Sequence, residues 1–352
     1  MGIEITINKV GGSGMKIKTL GIDLAKNLFH LYGVDARGKR LLKKRLNRKN
    51  LVEFMANLPS CLIGMEACGG AHYWARVFRE QGHEVKLMPP QYVKPYVKTN
   101  KNDYNDAEAI CEAVSRPNMR FVGIKDVAQQ DIQSLHRIRS GFMQARTRVV
   151  NQTRGLLAEY GLVVGKQVGQ LRRRLPEILE DGENGLTDFS RELFAGLYRE
   201  LLHLDERIRS SNEQIHRVFK ESDKCQRLAE VEGIGPITAT ALVASVGDPQ
   251  VFRKGRQMSA WLGLVPKQNS TGGKTVLLGI SKRGDRYLRT LLIHGARSVV
   301  SRAEGKVDAR SRWVIQLKQR VGMNKACVAL ANKNARVAWA LLVTGEPYQK
   351  AA

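Results

Sequence analysis

The sequence predicts a chain of three parts: an α/β amino-terminal domain over residues 16–127, a helical region over 128–226, and a mostly α-helical domain over 227–345. Three observations predict it. Short β-type runs alternate with amphipathic stretches as far as about residue 127. From Ala128 to Gln226 the apolar spacing becomes that of long helices. From Val231 onward, helical segments return with glycine- and lysine-rich turns between them. At 352 residues the chain can bury more than one core.

The first part opens on Thr19-Leu20-Gly21-Ile22-Asp23-Leu24, a core strand with one carboxylate embedded in it. Leu28 to Val34 is a second strand, and Asp35-Ala36-Arg37-Gly38 turns the chain into a basic third strand, Arg40 to Leu46. Asn47 to Leu58 reads as a helix with Leu51, Val52, Phe54 and Met55 on one side. Ser60 to Glu66 returns to a buried strand that again ends in an acid. A helix over Tyr73 to Glu80, closed by Gly82, precedes a strand from His83 to Met88, which Pro89-Pro90 stops. The order β-β-β-α-β-α-β followed by a helix is that of ribonuclease-H-like domains. In that topology the first and fourth strands are neighbours, so Asp23 and Glu66 meet.

A third acidic stretch follows. From Asp103 the run Asp103-Tyr104-Asn105-Asp106-Ala107-Glu108 is helical, and a spacing of three puts Asp103 and Asp106 on one face near the helix start. Taken singly, Asp23 could be a turn residue, and the Asp103/Asp106 pair ordinary first-turn acids. Together, Asp23, Glu66, Asp103 and Asp106 form the donor set of a metal site. Carboxylates brought together inside a fold cannot all stay ionised without a cation, and hard divalent ions such as Mg²⁺ take carboxylate oxygens.

In the middle region, Asp131 to Tyr160 is a basic helix. Leu197, Leu201, Leu204, Ile208, Ser211, Ile215 and Val218 alternate spacings of four and three, the seam of a coiled coil or helical hairpin. The seam serves either as a dimerisation arm, the use favoured by the lack of other apolar helices nearby, or as packing on a neighbouring helix. Gly161 to Asp188 reads as a connection. In the third part, Val231-Glu232-Gly233-Ile234-Gly235-Pro236 fits a helix-hairpin-helix, in which Gly233 and Gly235 let backbone amides approach a phosphate; a plain helical turn uses the same residues. Pro266 to Lys274 reads as a flexible hydroxyl-bearing loop. Lys274, Lys282, Arg283 and Arg286 are candidate phosphate contacts, with a solvated basic helix start as the plain alternative.

The charge narrows the function. With 58 Lys+Arg against 33 Asp+Glu the formal net charge is +25, a field that suits nucleic acid. No long apolar run suggests a membrane span, no leader is apparent in residues 1–15, and five scattered cysteines suggest neither a disulfide framework nor a zinc site. A reducing bacterial cytoplasm, with association with the nucleoid, is the expected setting.

The motifs GIDLAK, MEACG, KNDYNDAEAI, GIGPITATALVASVGD, GLVPKQNSTGGKT and GISKRGDRYLRTLLIHGA, in this order from Lys16 to Gly345, resemble those of the DEDD transposases of the insertion-sequence 110 family, its 1111 subgroup included. The resemblance implies an amino-terminal domain like the resolvase RuvC, a coiled coil and a carboxy-terminal transposase domain. It carries the family's four metal-binding acids onto Asp23, Glu66, Asp103 and Asp106. It also implies a serine nucleophile and a phosphoserine link to DNA, with Ser270 the match when counted back from Ser281-Lys282 and Thr271 when counted from Pro266. His294 and Lys274 are then structural or phosphate-contacting. The implied partners are donor and target DNA, a structured guide RNA encoded by the element, and further copies of the chain in a dimer or tetramer.

Two mechanisms compete on these residues. In one, a recombinase attacks through Ser270. In the other, a metal-dependent, structure-selective nuclease of the junction-resolvase kind uses water and the acids alone. A non-enzymatic basic scaffold accounts for the charge and leaves the four acids without a role.

Overall fold

The structure is a computed structural model that describes residues 16–98 and 102–349; part of the stretch leading into the Asp103 helix lies outside the described residues. The chain divides after Asp126 into two units.

The first unit follows the predicted order. Strands β1 (Thr19–Leu24), β2 (Leu28–Val34) and β3 (Arg40–Asn47) precede helix α1 (Arg48–Ala56), β4 (Leu62–Glu66), α2 (Ala71–Glu80), β5 (Glu84–Met88), the short α3 (Pro90–Val93) and α4 (Asp103–Val114). They form one sheet of order β3-β2-β1-β4-β5, in which β2 runs antiparallel to β1 and β3, and β4 runs parallel to β1 and β5.

Alternation along the strands decides the two faces. Leu20, Ile22, Phe29, Leu31, Ile63 and Met65 share one core with Leu51 and Met55 of α1 and with Trp74 and Phe78 of α2. The opposite face presents Gly21 and Asp23 on β1 and Gly64 and Glu66 on β4, and α4 packs there. Gly21 stands directly opposite Gly64 in the parallel register. This pair leaves a trough for the helix. A Cβ on Gly21 would lie 2.5 Å from Cys111 N, and one on Gly64 2.7 Å from Val114 Cβ.

The second unit is mostly helical. Long helices α5 (Val127–Ala158) and α7 (Asp188–Lys220) pack on each other, with α6 (Val168–Glu180) against them. Next come α8 (Asp223–Ala229), α9 (Pro236–Val246), α10 (Gly255–Trp261), a hairpin of β6 (Pro266–Thr271) and β7 (Lys274–Ile280), then α11 (Arg286–Ser301), α12 (Ala309–Val321) and α13 (Met323–Thr344). Among the described residues no helix is long and apolar enough to cross a membrane.

Three expectations are corrected here. The stretch from Gly161 to Asp188 is not a plain connection, because it contains α6, whose Leu171, Leu175 and Ile178 are buried. Its Arg172-Arg173-Arg174 run disguised an apolar stripe at helical spacing. Pro266 to Lys274 is not a loop, because the two-residue Gly272-Gly273 turn, both residues at positive φ, closes a hairpin whose twist suits antiparallel strands. The seam of α7 is not short of a covering helix, since α5 of the same chain packs on it. Arg146 pairs with Asp205 at 2.9 Å and Arg139 Nε donates to Asn212 Oδ1 at 2.6 Å across that contact.

One buried histidine in this unit sets a pH dependence. Thr240 Oγ1 donates to Pro236 O at 2.8 Å, so it accepts from His136 Nε2 at 3.0 Å, and Tyr287 Oη donates to Nδ1 at 3.0 Å. The Tyr287 bond requires an unprotonated Nδ1 and so the neutral ring, whereas Nε2–H donates to Thr240 in either form. Burial, with Arg139 nearby, lowers the His136 pKa to about 4. The unfolded chain takes up this proton near pH 6.5 and the folded one only near 4, so stability is unaffected above pH 6.5 and is lost as pH falls through that window. In urea unfolding the wild type is expected to lose about 2–3 kcal/mol more than His136→Gln between pH 7 and 4.5.

Candidate active site

The acids of the first unit gather where α4 begins. Asp23 closes β1 on the α4 face, with its carboxyl half-buried. Asn102 caps α4, its side chain accepting from Tyr104 N, and this fixes the first turn that carries Asp103 and Asp106. One carboxylate oxygen each of Asp23, Asp103 and Asp106 lies within 4.8 Å of the others.

Glu66 is not in that group of three. It follows Met65, which pairs with Ile22, just as Asp23 follows Ile22, so the two acids end neighbouring parallel strands on the same face. Its charge is felt nearby: desolvation first, and then the charges of Glu66 and Asp23, raise the Cys68 thiol above its ordinary value.

The electrostatics are those of carboxylates crowded together beside one histidine. Burial raises the Asp23 pKa, the charges of Asp106 and Asp103 raise it further, and His30 and the Leu24 amide oppose them. The donor set is three hard oxygen ligands at mutual separations that one ion can bridge, and it therefore fits a hard divalent cation.

His30 was missed in the sequence. It stands opposite Asp23 in the β1–β2 register, is 7% exposed, lies 3.7 Å from Asp103 Oδ2 through Nδ1, and meets the Tyr104 ring edge-on with centroids 4.6 Å apart. It ties the start of α4 to the sheet. The glycine trough was missed as well, although Gly-x-Asp at Gly21 and Gly-x-Glu at Gly64 are the same signal. In a strand a spacing of two puts both residues on one face, so each glycine clears the space below its acid for a helix.

In the second unit Ser270 lies on β6 opposite Thr275, exposed, accepting from Gln268 Nε2 at 2.7 Å and facing Thr275 Oγ1 at 3.4 Å. Thr271 pairs with Lys274 across the turn. Gly233 and Gly235 join α8 to α9. Gly233 has φ +90 and packs against the backbone of Gly295 on α11, at 3.1 Å from where its Cβ would stand, whereas Gly235 opens to solvent at the start of α9. Lys282, Arg283 and Arg286 are exposed around the start of α11, where Asp285 caps the helix by accepting from Tyr287 N and Leu288 N. His294 is exposed on α11.

Comparison with known proteins bears on what these features serve. Residues 20–162 match a transposase family model of the DEDD kind named for insertion sequence IS110, and residues 225–312 match the model described as transposase of the IS116/IS110/IS902 family. The chain is 48% identical to the transposase for insertion sequence element IS1111A of Coxiella burnetii over 98% of its own length and 95% of that protein's. It is 40% identical to the transposase for insertion sequence element IS1328 of Yersinia enterocolitica, over 95% and 99% respectively. Relatives this similar along nearly the whole length share one fold and one ancestry, and the chain belongs to the IS116/IS110/IS902 transposase family.

Proposed function

We propose that the protein cuts and rejoins DNA strands for a mobile element, with Asp23, Glu66, Asp103 and Asp106 holding Mg²⁺ and Ser270 acting as the nucleophile. The observation that carries this reading is the convergence of Asp23, Asp103 and Asp106, from two elements remote in sequence, with carboxylate oxygens within 4.8 Å. The sheet order β3-β2-β1-β4-β5 supports reading the first unit as a ribonuclease-H-like domain of the RuvC kind, with Glu66 on the strand beside Asp23.

A divalent cation held there supplies Lewis-acid neutralisation of negative charge on the reacting phosphodiester. The chain's own residues do the rest. The acids fix the place of cutting, and His30 and Asn102 hold the turn that carries two of them. Ser270 is presented on a hairpin with its hydroxyl oxygen accepting from Gln268 at 2.7 Å and its proton donated to Thr275 Oγ1 at 3.4 Å. The hydroxyl gives up that long bond when it attacks, and one lone pair is left for phosphorus. In the step proposed, the Oγ–P bond forms as the bond from phosphorus to the leaving sugar oxygen breaks. The serine proton passes to solvent, and solvent returns one to the leaving oxygen. The phosphoserine conserves the bond energy, so another sugar hydroxyl can rejoin the strand by the reverse step.

DNA is the substrate on this reading, and the +25 charge supports it. A structured guide RNA and assembly into a dimer or tetramer are further parts of the proposal, resting on the family resemblance. The test is a covalent adduct. With labelled DNA, a detergent-stable protein–DNA species is expected from wild type and Thr271→Ala and is expected to disappear from Ser270→Ala, together with ~10³-fold of the cleavage rate. Undiminished cleavage by Ser270→Ala without any adduct would turn the assignment to a water-using nuclease.

A further inference from the structure

The edge strand of the first unit carries a charge pattern that the acid site does not use. Seven of the eleven residues from 39 to 49 are Lys or Arg and none is acidic: Lys39, Arg40, Lys43, Lys44, Arg45, Arg48 and Lys49. They run along β3, the outer strand of the sheet, into the first turn of α1. None of the seven forms an ion pair among the described residues.

Three are seated on aromatic rings instead. Lys43 Nζ lies 4.7 Å from the centre of Tyr104, Lys44 Nζ 4.9 Å from that of Phe54, and Arg48 Cζ 4.8 Å from that of Trp74. A ring face orients a cation without neutralising it, so the charges are held in place and remain available to an anion.

Register ties the strip to the acids. Asp23 pairs with His30 and His30 with Arg45, so the three form one row on one face of the sheet, and Arg45 lies two strand spacings, about 10 Å, from Asp23. Lys43 lies on the same face, two residues along, over the ring of Tyr104, which itself touches His30.

We infer that β3 and the start of α1 form a phosphate-binding strip that carries the backbone of the DNA duplex up to the acid cluster. The inference rests on the reading of that cluster as the place where DNA is cut. Charges on an edge strand also serve to block edge-to-edge pairing between sheets. That role requires neither seats on aromatic rings nor a row shared with the acids.

The test uses the full chain and a mixed-sequence 30-bp DNA duplex, with an RNA of equal length as comparison, by fluorescence anisotropy from 50 to 300 mM salt. For Arg45→Gln/Arg48→Gln/Lys49→Gln the slope of log affinity against log salt is expected to become shallower by about 2–3, with affinity for the duplex at 150 mM salt falling about tenfold or more. Arg45→Lys/Arg48→Lys, which keeps the charge, is expected to stay within about twofold of wild type. A wild-type slope in the glutamine variant overturns the strip. So does a loss confined to RNA, or aggregation with no change in slope. The cluster reading fails separately: Asp23→Asn would then still cut DNA, whatever the slope does.

Discussion

Asp23→Asn is expected to abolish strand cleavage, by ~10³-fold or more, while making the metal-free protein more stable. The first half follows from removing one of the three carboxylates that face one another, since the stabilisation a bound divalent ion gives to a phosphodiester transition state is worth several kcal/mol. The second half follows from the raised Asp23 pKa. Burial, Asp106 and Asp103 all disfavour its ionised form, so the folded chain holds this proton to higher pH than the unfolded chain. The destabilisation is therefore absent below the ordinary aspartate range and fully present above the raised value. At pH 7, without metal, the neutral amide removes it. Thermal unfolding in chelator should show the variant melting above wild type, and addition of Mg²⁺ should raise wild type selectively. A variant that melts lower in chelator would contradict the account of the electrostatics.

Gly21→Ala is expected to lose cleavage almost as completely, with the opposite effect on stability. The new methyl would stand 2.5 Å from Cys111 N and nearer still to the Ala107 carbonyl oxygen, both backbone atoms of α4 that no rotamer change can move. The helix must lift from the sheet. Overpacking of this kind costs about 1–3 kcal/mol, and the lift takes Asp103 and Asp106 away from Asp23. Chemical denaturation paired with a cleavage assay separates the two variants: Asp23→Asn is inactive and stabilised, Gly21→Ala inactive and destabilised. Gly21→Ala with wild-type activity would mean that the seat of α4 does not position the acids.

Much of the first unit was legible in the sequence because its strands obey one rule. Alternation of apolar residues with Gly21 and Asp23, and with Gly64 and Glu66, fixes two faces at once, and the turn chemistry of Asp35 to Gly38 fixes the hairpin. Asp103 and Asp106 were readable as one face of a helix start. That they meet Asp23 was an inference from topology, and the structure brings these three together while leaving Glu66 at the end of the adjacent strand. What stayed hidden depended on contacts distant in sequence. His30 looks like any polar residue in a strand until register sets it against Asp23 and Tyr104, and His136 lies more than a hundred residues from both Thr240 and Tyr287. Elsewhere composition misled. The arginines of α6 hid Leu171, Leu175 and Ile178, and the polar residues of β6 hid a hairpin that Gly272-Gly273 signals openly.

Counting divalent ions on the intact chain tests the central claim most directly. In a titration with Mn²⁺, which is visible by electron paramagnetic resonance and takes the same oxygen ligands as Mg²⁺, wild type should show saturable binding that Mg²⁺ displaces, and the double variant Asp103→Asn/Asp106→Asn should lose it. Equal Mn²⁺ uptake by the two proteins would place the ion elsewhere and contradict the account.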